Sequence, residues 1–259
     1  MDIPAIGEAR GIFEIFVPGT FLLLNLGFVL YMFPYTDSEI KSLISAGASN
    51  PAIALIIAVS FGYLIGILLR LFRPEFPDKL SARWLRIFAR REDPRESRIW
   101  STEEFPYITW IGESCSLFLS KDAQDFYDKT WKLRKMAGQN KQFFNFAKVV
   151  IISNDTQAAA EVYAAEALTR YISGMFYALS FAFLLLLATI VLSYLVSGQL
   201  LGGLIFIVSA YLFAILIILT RFRFIRIKEV EVVFAASYKN KEHFEGKKTR
   251  NTDTSTNKG

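Results

Sequence analysis

The feature that most limits how this chain can fold is an uncharged run of 50 residues, 171–220. Two shorter uncharged runs cover 15–36, with 22 residues, and 42–69, with 28 residues. A helix of about 20 apolar residues crosses the hydrocarbon core of a bilayer. Inside that core only helices and closed barrels satisfy their own backbone hydrogen bonds. The three runs therefore predict an all-α integral membrane protein.

The longest run exceeds the length of one span and predicts two helices joined by a tight turn. Gly198 lies among turn-forming residues in the segment VSGQLLGG and places the break. The first span lacks the pattern of a secretory signal peptide, so we expect it to remain as an anchor. The four predicted transmembrane helices form an N-terminal hairpin, 1–72, with spans 13–34 and 51–72, and a C-terminal hairpin, 170–220, with spans 170–197 and 200–220.

The distribution of lysine and arginine predicts which segments face the cytoplasm. Residues 70–170 contain 17 of these cations and residues 221–259 contain 10, whereas 35–50 contains only Lys41. Positively charged loops stay on the cytoplasmic side. We therefore expect a multi-pass protein of the plasma or inner cell membrane with both termini cytoplasmic. The net charge of +5 reflects this topology, and no nucleic-acid partner is expected.

A folded helical cytoplasmic insertion, 73–169, is predicted between the second and third spans. All four tryptophans of the chain lie in it, which indicates a packed core rather than a flexible loop. Its apolar spacing predicts helices over 78–91, 121–136 and 140–153. A further helix should begin at a cap near Asp155 and continue into the third span.

Two stretches beside the spans are rich in arginine. Residues 78–91 alternate apolar and basic positions with a helical period, and RFRFIRIK, 221–228, follows the last span directly. Basic amphipathic segments beside a span suit an anionic leaflet. Packing of 78–91 on the rest of the insertion would explain its pattern equally well. The predicted membrane-surface cations are Arg83, Arg86, Arg90, Arg91, Arg221, Arg223 and Arg226.

The C-terminal segment divides into two parts. Residues 221–245 predict a juxtamembrane cytoplasmic helix because they continue from the last span. The alternation of side chains over 221–227 also fits a strand. Residues 246–259 are polar and predict a disordered tail.

Small residues recur at every fourth position of the second span, namely Ala54, Ala58, Gly62 and Gly66. This spacing places them on one helix face, where they allow another helix to approach closely. The neighbour is either another span of the same chain, which is the commoner use of such a stripe, or a second copy in a homo-oligomer.

Polar residues interrupt the first span. Glu14 and Asn25 are 11 positions apart, which is within about 20° of three full turns, so they share a face. An amide deep in a bilayer requires a protein or water partner, so Asn25 either packs against a helix or lines a pore. Glu14 is level with Arg70, which predicts an ion pair. Pro18 marks either a bend or the true start of the helix.

The sequence offers little chemistry for catalysis. It has one histidine, His243, and one cysteine, Cys115, with no phosphate-binding, dinucleotide-binding or serine-nucleophile motif. No catalytic, metal or cofactor site is expected, and the chain is predicted to be non-enzymatic.

Four functions compete on these observations. The leading hypothesis is a cytoplasmic region that senses a ligand or protein partner and is coupled to an oligomeric pore or bilayer-perturbing bundle. The alternative is a structural anchor or assembly partner for a soluble protein. A small transporter is less favoured because the spans lack charge and an internal repeat. An enzyme acting on lipid is least favoured.

Overall fold

The computed structural model describes residues 3–32, 37–72, 74–88, 121–132, 140–198 and 202–244. These residues form helices and no strand, which confirms the all-α expectation for them. The α-helices are α1 Ile3–Met32, α2 Ser38–Ser49, α3 Pro51–Arg70, α4 Glu75–Phe88, α5 Lys121–Phe126, α6 Asn140–Asn154, α7 Thr156–Ser197 and α8 Gly202–Lys239. A π-helical segment, Tyr127–Lys132, follows α5, and a 3₁₀ turn, Lys241–His243, follows α8.

Three helical stretches in the described residues are long and apolar enough to cross a membrane. They are Ile12–Tyr31 in α1, Thr156–Val196 in α7 and Gly203–Lys239 in α8. A fourth results if Ala54–Arg70 of α3 and Glu75–Leu85 of α4, which are bent by 69°, form one broken span. By length and composition, this part of the chain holds three to four candidate membrane-spanning helices.

Several helix boundaries differ from the predicted ones. α1 begins at Ile3 and continues through Pro18, so the proline does not mark its start. The predicted loop 35–50 contains α2, whose N-cap Asp37 accepts a hydrogen bond from the Glu39 N–H at 3.0 Å. α8 runs as one helix to Lys239, which decides the helix-or-strand alternative for 221–238 in favour of helix.

The turn between α7 and α8 begins at a glycine in the left-handed conformation. α7 ends at Ser197, and Gly198 follows with a φ of 68°. Its N–H donates to the Tyr194 carbonyl at 2.9 Å. Glycine commonly ends a helix in this way because it has no Cβ to clash at positive φ.

The chain divides into two compact units. Among the described residues, the first unit contains 3–88 and 164–226, and the second contains 121–163 and 227–244. The first unit therefore includes α1 to α4 with most of α7 and the apolar part of α8. The second includes α5, α6, the start of α7 and the end of α8.

In the first unit, α1 and α3 pack with their backbones in contact. A Cβ atom added to Gly19 would overlap the backbone of Gly62, and one added to Gly66 would overlap the carbonyl of Ile15. Such close approach is available only where side chains are absent. It increases the van der Waals contact between the two helices.

Apolar side chains of α7 and α8 complete the first unit. α4 joins them through Leu80 and Trp84, and the Ser81 hydroxyl donates to the Leu219 carbonyl of α8. One buried cluster contains Leu69, Phe176, Tyr177, Ala178, Leu179, Ile215 and Leu219, and another contains Val29, Leu186, Ile190 and Leu204.

The second unit has its own core, which is rich in aromatic rings. Trp131 is fully buried and meets Phe143 edge-on, with 5.2 Å between ring centroids, and Phe234 at 5.6 Å. Edge-to-face pairs add about 0.5–1.5 kcal/mol beyond the burial of their area. The buried members of this cluster are Phe126, Tyr127, Trp131, Phe143, Phe144, Ala147, Ile151, Ala158, Val162, Ile227, Val230, Val233, Phe234 and Ala236.

We expect Gly66→Ala to destabilise the first unit, because the added methyl group must displace the Ile15 backbone. Overpacking of this kind costs about 1–3 kcal/mol. Thermal unfolding in detergent, followed by circular dichroism, measures the loss. Gly27→Ala is the matched control on α1, since no atom lies within 4 Å of its Cβ position. Equal midpoints for the two variants would contradict the close approach of α1 and α3.

Candidate functional site

Asn25, the polar residue in the middle of the apolar stretch of α1, forms hydrogen bonds through both the nitrogen and the oxygen of its side-chain amide. The residue is 9% exposed. Its Nδ2 donates to the Phe21 carbonyl at 2.8 Å, and its Oδ1 accepts a hydrogen bond from the Tyr211 hydroxyl of α8. A buried amide that is hydrogen-bonded costs far less free energy than an unpaired one. The contact joins α1 to α8 within one chain.

Tyr211 is a site residue that the sequence analysis missed. It is the only tyrosine in the predicted span 200–220, and a lone phenol hydroxyl in an apolar span could have indicated a hydrogen-bond partner for Asn25. Its ring also packs on Phe21, with 5.9 Å between centroids. Since 186 positions separate Tyr211 from Asn25, only the tertiary fold brings the two together.

Charged residues gather where the apolar stretches of α1, α3 and α7 begin or end. Arg70 Nη2 lies 3.9 Å from Glu14 Oε2, so the structure places together the pair suggested by their common level. Glu166 and Arg170 of α7 form an ion pair with each other and act electrostatically on Glu14. Partly exposed pairs contribute about 0–1 kcal/mol. The cluster therefore adds little to the stability of the first unit.

The small residues of α3 lie mostly against α1 of the same chain. Gly62 and Gly66 are buried there, and the Ala58 carbonyl accepts a hydrogen bond from the Thr20 hydroxyl at 3.4 Å. Ala54 is partly exposed. The intramolecular use of the stripe is thus the one that these contacts display.

Arg223 was predicted to be a surface cation, but its side chain is buried. It is 1% exposed, and its Nη1 donates to Asp78 Oδ1 of α4 at 3.2 Å. The surface assignment is wrong for this residue, because the helical continuation of α8 turns it inwards while Arg221 faces outwards. A buried guanidinium requires such a counter-charge.

Two of the five remaining predicted surface cations have described side chains. Arg83 is exposed and Arg226 is partly exposed. The Arg86 side chain, Arg90 and Arg91 lie outside the described residues, as do Cys115 and the predicted tail 246–259.

A buried ion pair lies in the second unit. Lys148 Nζ donates to Glu229 Oε1 at 2.6 Å and sits 4.6 Å from the centroid of the Phe144 ring. The pair could not be predicted from the sequence, because its members are 81 positions apart. Desolvation offsets much of the attraction between buried charges. We infer that the pair acts mainly by selecting which faces of α6 and α8 meet.

Asp155 caps α7 and contacts the end of α8. Its Oδ1 accepts a hydrogen bond from the Ala158 N–H at 2.9 Å, and its Oδ2 lies 3.2 Å from both Asn240 Nδ2 and Lys239 Nζ. These hydrogen bonds lower the pKa of Asp155 from 3.8 to about 2. The Ala158 N–H contributes most, followed by the side chains of Asn240 and Lys239. Because this pKa is lower in the folded than in the unfolded chain, the ionised carboxylate stabilises the fold at any pH above the unfolded pKa. The contribution is lost as the pH falls through about 2.

No group of three or more His, Cys, Asp or Glu among the described residues could hold a metal ion. His243 is exposed near the end of the described chain. The chain matches no protein-family model, no curated protein and no solved structure.

We expect Asn25 and Tyr211 to be energetically coupled. Asn25→Leu and Tyr211→Phe, alone and together, form a double-mutant cycle whose unfolding is measured in mixed detergent micelles. Hydrogen bonds between membrane helices contribute about 0.6–2 kcal/mol. A coupling energy in this range is the expected result, and additive effects would show that the hydroxyl and the amide do not interact.

Removing one partner of the buried ion pair should cost more than removing both. Lys148→Met removes the ammonium group that lies 2.6 Å from the buried Glu229 carboxylate, and the typical loss for such a change is about 3–5 kcal/mol. The double variant Lys148→Met with Glu229→Met should recover much of that loss because neither member of the pair then buries a charge. Chemical unfolding, monitored by tryptophan fluorescence, compares the variants. A double variant that is less stable than both single variants would refute this account of the pair.

Proposed function

We propose that the chain is a four-span membrane anchor that holds a folded cytoplasmic unit at the membrane surface, where that unit binds a soluble protein partner or ligand. The observation that carries the proposal is the pairing of Asn25 with Tyr211 inside one chain. The polar residue in the middle of the first predicted span thereby acts as a packing contact between helices.

The lengths of the helices support four spans. α3 has 20 residues, and at about 1.5 Å per residue it matches the hydrocarbon core of about 30 Å without help from α4. α7 has 42 residues and exceeds that thickness about twofold, so its polar first turns, up to Arg170, would project from the membrane.

The orientation follows from the charges. The cations of 70–170 and of 221–259 favour the cytoplasm for the second unit and for both termini. α2, which contains Lys41 and Glu39, would then lie on the opposite side of the membrane.

The hydroxyl groups of the predicted spans favour an anchor over a pore. Ser180, Thr189 and Ser209 each donate to a carbonyl one turn earlier on their own helix, at 2.7–2.9 Å. Groups satisfied in this way do not require water. A conducting path needs polar groups that face an aqueous lumen, and these hydroxyls give no support for one.

A partner for the second unit is supported by exposed apolar side chains outside the predicted spans. On α6, Phe146 and Val149 are more than half exposed. They lie three residues apart and so share one face of the helix. Lipid would not cover this face under the proposed topology, whereas a protein partner could.

Ion flux through purified protein in liposomes tests the anchor against the pore. We expect flux equal to that of empty liposomes for the wild type and for Asn25→Leu, with gramicidin as the positive control. We also expect a monomer by light scattering in detergent. Flux through the wild type that Asn25→Leu abolishes, together with an oligomer, would favour the pore and overturn the anchor.

A further inference from the structure

α4 has two faces with different surroundings. On its inner face the Ser81 hydroxyl donates to the Leu219 carbonyl of α8, and Leu85 is buried. On its outer face Arg83 is exposed and Ile87 is 72% exposed. The inner contacts belong to the core of the first unit, and the ring of Phe76, at the start of the outer face, also lies 6.3 Å from those of Phe176 and Tyr177.

The outer face combines large apolar side chains with a cation. Phe76, Arg83 and Ile87 lie within about 40° of one another around the helix axis. Phe76 is also more than half exposed. Bulky apolar groups beside arginine on one face are typical of helices that lie at the level of lipid headgroups.

The position of α4 in the chain puts this face at the edge of a candidate span. α4 follows α3 after a bend of 69°, and Leu71 and Phe72 are exposed between the two helices. On α8, Arg221 is exposed two residues beyond Leu219, which contacts α4. Continuity with an apolar helix and the positive charge both favour an anionic lipid surface over a soluble partner.

We propose that the outer face of α4 lies in the cytoplasmic leaflet and binds anionic phospholipids. Phe76 and Ile87 enter the upper part of the acyl region, and Arg83 and Arg221 contact lipid phosphates. The inference rests on the proposed anchor function, because it requires α3 to span the bilayer by itself.

A single label reports the depth of α4. The only cysteine is removed by Cys115→Ser, and Ile87→Cys is labelled with bimane in vesicles of phosphatidylcholine, with or without phosphatidylglycerol. Leu64→Cys on α3, where the native side chain is 56% exposed, is the matched control for insertion. Lipids that carry nitroxides at the headgroup or deep in the acyl chain quench each label according to its depth.

We expect headgroup nitroxides to quench the Ile87 label and deep nitroxides to quench the Leu64 label. Quenching at Ile87 should rise about twofold with phosphatidylglycerol, because the lipid charge draws α4 to the surface. Arg83→Gln with Arg221→Gln should remove that rise. Lys41→Gln, on the predicted opposite side, should preserve it.

The outcomes separate this inference from the proposed function. Quenching of the Ile87 label by aqueous iodide alone, with the Leu64 label still reached by deep nitroxides, would overturn the inference and leave the anchor. Deep quenching at Ile87 would make α4 part of a broken span and would also overturn it, as would a response independent of phosphatidylglycerol. A Leu64 label that no lipid quenches would overturn the anchor itself.

Discussion

The contact between α1 and α3 depends on the missing side chains of Gly19, Gly62 and Gly66. Between helices in lipid there is no hydrophobic driving force, so association relies on close packing and on hydrogen bonds. Backbone contact at these glycines supplies the packing. It also sets the rotation of α1, because only one face of this helix carries a small residue at the right level.

The rotation of α1 determines where its polar groups point. With Gly19 turned to α3, Asn25 reaches the Tyr211 hydroxyl and Glu14 lies beside Arg70. Both polar residues are thereby accommodated inside the first unit. An anchor needs this stability, whereas a pore would require some of these groups to remain available to water.

Both units bury a paired charge, which is Arg223 with Asp78 in the first, and the first unit also buries neutral polar groups. In the first unit, hydroxyl and amide groups form neutral hydrogen bonds, and the charges collect at the ends of the apolar stretches. In the second unit a full ion pair, Lys148 with Glu229, lies beside an aromatic core. The Lys148 ammonium has Glu229 as counter-charge and lies over the Phe144 ring, and both contacts make its burial tolerable.

Some of this arrangement could be predicted from the sequence and some could not. Uncharged runs locate the long apolar helices because the lack of charge is a local property. The common level of Glu14 and Arg70 follows from their positions at the ends of such runs. Tyr211 as the partner of Asn25, and Asp78 as the partner of Arg223, depend on the rotation of helices about their axes. Hydrophobic patterns in a span that is apolar on all sides carry no information about that rotation.

Disulfide cross-linking tests most directly whether α1 packs on α3 of its own chain. In a Cys115→Ser background, Thr20→Cys and Ala58→Cys replace two residues that meet across the helix pair. Copper phenanthroline oxidation in membranes should give an intramolecular disulfide, seen as a monomer with altered mobility on a non-reducing gel. A cross-linked dimer, or no disulfide at all, would contradict the packing of α1 and α3 described above.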